Sequence, residues 1–138
     1  MAGQEFSLAI AAWCEKSADR ADLILRKVAL DIGARVVLRS PVDTGRFRAN
    51  WQYGVGRPNT ATLVAADKSG QSSIARIAAG VATARLGDVI YISNALPYAL
   101  RLETGWSKQA PAGMVGLTVT EFQSAIDRAV AAAQAERR

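Results

Sequence analysis

The chain has no histidine and a single cysteine, Cys14. Without histidine there is no Ser-His-Asp triad, no ordinary base for a cysteine nucleophile, and little basis for a zinc site. One cysteine cannot close an intramolecular disulfide, which suits a reducing cytoplasm. Cys14 follows Trp13 in an apolar helical stretch and reads as a small buried hydrophobe. No apolar run approaches the ~20 residues that span a bilayer, so no membrane association is expected. The opening Met-Ala-Gly-Gln-Glu-Phe has no basic stretch leading into an apolar core, and a secretory signal is not expected either. Dense basic blocks are missing too. The net charge of +5 is spread in pairs such as Arg26–Lys27, Arg46/Arg48 and Arg137–Arg138, with acidic residues between them.

What the chain does have is length for one domain, residues 1–138, and an apolar fraction of 50%. A chain of this size buries roughly two thirds of its unfolded surface and can build a core without metals or disulfides. Much of the apolar content is alanine, however. Alanine-rich helices pack closely but bury little area per residue, and a thin core of this kind finishes its burial against neighbouring subunits.

Residues 4–39 contain no proline and one glycine, Gly33. Apolar residues recur at helical spacing through Phe6, Ile10 and Trp13, then Ala21, Ile24, Val28, Ile32 and Val36. A second line, Leu23, Leu30 and Val37, lies on another face. The spacing predicts one long or slightly kinked helix; Asp19 with Asp22 can instead cap a new helix and break the run near Ser17. Unbroken, it would be ~50 Å long against a radius of gyration of ~14 Å, so it would overhang its own domain. Ser40-Pro41 ends it.

Val42-Asp43-Thr44-Gly45 then reads as a turn in which Asp43 accepts backbone N–H groups and Gly45 supplies a special dihedral. From Arg46 the period becomes two. Phe47, Ala49, Trp51, Tyr53 and Val55 alternate with Arg46, Arg48, Asn50 and Gln52, the pattern of a half-buried strand. Residues 60–66 are predicted to pair back as a second strand through a turn at 56–59. Residues 71–85 read as an alanine-rich helix, and 89–93 as a third strand. Residues 97–103 read as a short helix opened by Pro97 and closed before Gly105. A loop over 106–113 leads to a closing helix over 113–136, with Val115, Val119, Phe122, Ile126 and Val130 on one face. The predicted fold class is therefore α+β: a small antiparallel sheet of about three to four strands packed against long N- and C-terminal helices.

The most distinctive stretch is Ser40-Pro-Val-Asp-Thr-Gly-Arg-Phe-Arg-Ala-Asn-Trp51, a helix stop, turn and strand entry within twelve residues. Together with Ile92-Ser93-Asn94, Pro97-Tyr98-Ala99 and Leu102-Glu103-Thr104-Gly105, it resembles the minor tail and tail-completion proteins of long-tailed bacteriophages, a group loosely related to the lambdoid Z-type minor tail protein. The resemblance covers about residues 28–130. It implies a non-enzymatic virion component at the head–tail junction or tail end, made in the host cytoplasm. Such a protein assembles as a ring, by analogy of six copies, and joins the tail to other neck and tail proteins.

Read alone, Tyr98 and Glu103 are a phenol and a carboxylate near glycine-rich turns. A lone acid without a paired carboxylate or histidine is poor acid–base machinery. Glu103 and Asp43 are expected to serve salt bridges or turns, and no catalytic, cofactor or metal site is predicted. Arg46 and Arg48 are placed on the polar face of the first strand. There they are solvated, meet acidic surfaces of adjoining subunits, or face DNA in a lumen without sequence preference. Trp51 is an anchor of the core or of an interface, and Trp106, in a loop after a helix stop, is the preferred interface residue. Pro41, Thr44, Gly45 and Gly105 complete the candidate set. The alternative function is a small basic nucleic-acid-binding accessory protein of a phage or prophage.

Overall fold

The computed structural model describes residues 18–135. The first half of the expected N-terminal helix, including any break near Ser17, lies outside the described residues. Helix α1 spans Ala18–Arg39. Its apolar spacing buries Ile24, Val28, Val36 and Val37 almost completely. Gly33 lies where α1 crosses a later helix so closely that a Cβ there would sit 2.9 Å from Ile77 Cγ2.

Where α1 stops, its terminal carbonyls need partners. Ser40 Oγ donates to Val36 O at 2.6 Å and accepts from Trp51 Nε1 at 2.7 Å. Arg48 donates to Leu38 O at 2.9 Å and to Ser40 O at 3.1 Å. The strand predicted from Arg46 therefore begins later. Residues Arg46–Ala49 form a single helical turn, α2, and the strand β1 runs Trp51–Val55. Alternation over four residues does not separate the two states, because Phe47 and Ala49 are buried in either. The helical turn wins by bringing Arg48 back over the end of α1.

Strand β1 pairs antiparallel with β2, Ile90–Asn94, in the register Trp51↔Asn94, Tyr53↔Ile92 and Val55↔Ile90. These two strands make the sheet, which is smaller than the three to four strands predicted. Residues 60–66 do not form a strand. The buried Asn50 side chain takes the place of a ladder partner, accepting from Leu63 N at 2.6 Å and donating to Leu63 O at 2.9 Å. Gln52 Nε2 holds Ala61 O at 3.3 Å in the same way. With side chains filling these bonds, the segment lies along β1 without joining the sheet.

Helix α3, Gln71–Val81, is shorter than the predicted 71–85 and packs on α1 and β1. The short helix α4, Ala99–Glu103, follows β2. The closing helix is broken in two, α5 at Val115–Thr120 and α6 at Phe122–Ala135. The threonines contribute to the break: Thr118 Oγ1 donates to Met114 O at 2.8 Å and Thr120 Oγ1 to Leu117 O at 2.7 Å, competing with helical backbone bonds. At the break, Glu121 accepts from Arg39 at 2.7 and 2.8 Å and from Arg35 at 3.1 Å.

The architecture is α+β, with α1 packing against α6 and α3. One core cluster joins α1, α3 and the sheet around Val37, Phe47, Trp51, Ile77 and Met114. A second joins α1 and α6 through Ile24, Val28, Ile126, Ala129 and Ala133.

Candidate functional site

The two distinctive stretches of sequence, some fifty residues apart, line one groove. It has a volume of about 450 Å³ and is walled by Pro41, Asp43 and Thr44 on one side and by Tyr98, Leu102 and Trp106 on the other. Phe47 sits at its base, 5.8 Å from the Tyr98 ring and 5.9 Å from the Trp51 ring between centroids. Gln109 fastens the two sides. Its Oε1 accepts from Val42 N at 2.8 Å and its Nε2 donates to Val42 O at 2.9 Å, so one side chain pairs a backbone unit as a strand would.

The turn that starts the groove depends on Gly45. Its φ is +92°, and a Cβ there would lie 2.6 Å from Lys68 N and 2.7 Å from Asp67 N. Gly45 O also accepts from Ala49 N and Asp67 N. No hydrogen bond reaches the exposed Asp43 carboxylate among the described residues. The cap comes instead from Thr44, whose Oγ1 accepts from Arg46 N at 3.2 Å. The expected capping role of Asp43 is thereby corrected to its neighbour.

Glu103 and Gly105 shape the other wall. Glu103 reaches the start of α5, where Oε1 accepts from Met114 N at 3.0 Å and Val115 N at 2.8 Å, and Oε2 from Gly116 N at 2.9 Å. Burial pushes this carboxyl up, but the three N–H donors outweigh it and hold it below the usual glutamate range. It supplies the α5 N-terminus with the acceptor and negative charge that a helix start favours. Gly105, at φ +94°, lies so close to the following loop that a Cβ there would sit 2.5 Å from Pro111 O. The loop so folded leaves Trp106 71% exposed, with the Arg101 guanidinium 5.0 Å from its ring centroid.

Arg46 and Arg48 are not on a strand face and do not line the groove. Arg48 is spent on the carbonyls of Leu38, Ser40 and Lys68, and Arg46 Nε donates to Leu63 O at 3.2 Å. Trp51 is 4% exposed and belongs to the core. Asp67 does for α3 what Glu103 does for α5: it accepts from Ser73 N and Ser73 Oγ at 2.8 Å and from Gly70 N at 3.1 Å. Burial raises its carboxyl, and these donors bring it below the usual aspartate range. Gln109 and Leu100, the latter 76% exposed, carried no sequence signal, since neither belongs to a periodic face.

Among the described residues no group of three or more acidic or cysteine side chains is placed to hold a metal ion, and no helix is long and apolar enough to cross a membrane. Comparison of the chain with protein-family models, with curated proteins and with solved structures gave no match.

Proposed function

We propose that the chain is a structural subunit of a bacteriophage tail or neck, which assembles as a ring and joins the tail to connector proteins. The observation that carries this reading is the meeting of residues 41–47 and 98–109 in one groove beside the exposed Trp106. They overlap the stretches 40–51, 97–99 and 102–105 that carry the resemblance to tail-completion proteins. Glu103 and the two glycines in them work as folding devices: Glu103 fixes α5, and Gly45 and Gly105 allow close backbone passages. What they hold outward is an aromatic surface of the kind that concentrates binding energy between proteins. A closed ring needs such a surface on every copy.

The nucleic-acid reading is weakened at Arg48, whose guanidinium is held on three backbone carbonyls, while Arg46 is exposed with only its Nε bonded. Other arginines can still touch DNA within a ring without sequence preference. The test is electron microscopy of particles made without this protein. The expected result is separate heads and tails, or tails of abnormal end; normal head-joined particles would refute the proposal. Nucleic-acid binding that falls steeply between low and moderate salt, with no assembly, would favour the alternative.

A further inference from the structure

A second concave surface lies along the middle of α1. It has a volume of about 540 Å³ and is walled by Val28 and Ile32 of α1, Val89 and Ile92 along β2, and Val119 and Phe122 at the α5–α6 break. Its lining is almost wholly apolar. Among the described residues Asp88, at one rim, is the single ionisable one along it, and only Oδ2 of its carboxylate has a partner, Arg85 N at 2.8 Å.

Elsewhere on the chain stands a projection with the opposite character. Leu100 and Trp106 are 76% and 71% exposed, and Arg101 between them faces the indole with no carboxylate partner among the described residues. The projection sits beside residues 41–44, whereas the apolar groove borders α1 no further than Ile32. From Ile32 to the end of α1 at Arg39 is ~10 Å of helix, and neither Leu100, Arg101 nor Trp106 lines the groove of its own chain.

We propose that the occupant of the groove is a second copy of this chain: Leu100 and Trp106 of one copy enter it, and Arg101 meets Asp88 at its rim. One charge on an apolar knob matches one opposite charge on an apolar socket, a pairing that fixes register as well as affinity. When each copy offers its knob to one neighbour and its socket to another, the contact is head-to-tail; a reciprocal pair, each knob in the other's socket, would stop at closed dimers and give no ladder. Repeated, the head-to-tail contact closes into a ring or extends into a filament. This deepens the proposed ring-forming role and rests on it.

The test uses the full chain with Cys14→Ser. Oxidised Asp88→Cys/Arg101→Cys protein is expected to give a ladder of linked dimers, trimers and higher species. An equal mixture of the two single variants should stop at dimers. Trp106→Ala on the knob and Val119→Lys in the socket should each weaken self-association about 30-fold or more, without changing the thermal melt. Arg101→Asp and Asp88→Arg should each do the same, and together in one chain should restore it.

Wild-type-like assembly in the Trp106→Ala and Val119→Lys proteins would overturn the interface while leaving the particle phenotype, and hence the proposed function, standing. Self-linking of Arg101→Cys alone would mean a symmetric contact and would also overturn it. So would an intrachain link in a separate Asp88→Cys protein that keeps Cys14, which would put the chain's own N-terminal segment in the groove. A wild-type protein that stays monomeric at all concentrations would end the interface too, whatever particles lacking it look like.

Discussion

The α1–α6 pair and the 40–51/98–114 region are held by different kinds of contact. Between α1 and α6, Ile24 and Val28 meet Ile126, Ala129 and Ala133, a periodic apolar seam. Its flank carries Asp31, which pairs with Arg35 at 2.7 Å and Arg128 at 2.8 Å. Many small contributions share the work there, and each has neighbours of the same kind. In the other region single side chains are bound to named backbone atoms: Arg48 to Leu38 O, Asn50 to Leu63, Gln109 to Val42 and Glu103 to the start of α5. A periodic seam tolerates conservative exchange. A set of individual fastenings does not, because removing one partner leaves its backbone group with no other protein partner in place and the segment it held untied.

The comparison is broken most severely at Gly45. Gly45→Ala meets both a positive φ and the backbone of residues 67 and 68, and is expected to cost roughly 3 kcal/mol or more in chemical denaturation. Next comes Glu103→Ala, which strands three N–H groups of α5 and should cost about 2 kcal/mol. An equal loss in Ile24→Val would erase the distinction between the regions; that exchange in the seam is expected to cost only about 1 kcal/mol.

Glu103 also has a pH signature. Its folded value lies below the ordinary 4.5, so the stability it contributes is complete above that value and is lost as pH falls through the folded one. The gap between wild type and Glu103→Gln, measured by denaturation at several pH values, should be widest near neutrality and shrink below about 4.5. A gap that widened in acid would mean that the carboxylate is not held as described. The smallest effect is expected for Asp31→Asn on the flank of the seam, about 1 kcal/mol or less and diminishing with added salt.

The same division governs what the sequence discloses. The seam is written in residue spacing, so Ile24, Val28, Ile126 and Val130 are placed on helices by periodicity alone; that α1 packs against α6 and α3, and that α3 lies on β1, is not written there. The fastened region is not written that way. Nothing local distinguishes residues 60–66 from a strand, because what keeps them out of the sheet is the Asn50 amide occupying their bonds. Likewise β1 takes its partner from residues 90–94, across an intervening helix. The role of Arg48 depends on where the carbonyls of Leu38 and Lys68 end up, which spacing does not carry. The α5–α6 break escapes periodicity for a similar reason, since Glu121 is pulled down by arginines more than eighty residues away. Of the groove itself, the motifs on its two walls were legible as motifs; that they face each other became visible only in the fold.

The central claim, that this chain is a building part of a virion, is tested most directly by quantifying it in purified particles by mass spectrometry. The account predicts a fixed copy number per particle, equal to one ring. Its absence from particles formed while the protein is abundant in the cell would contradict the account.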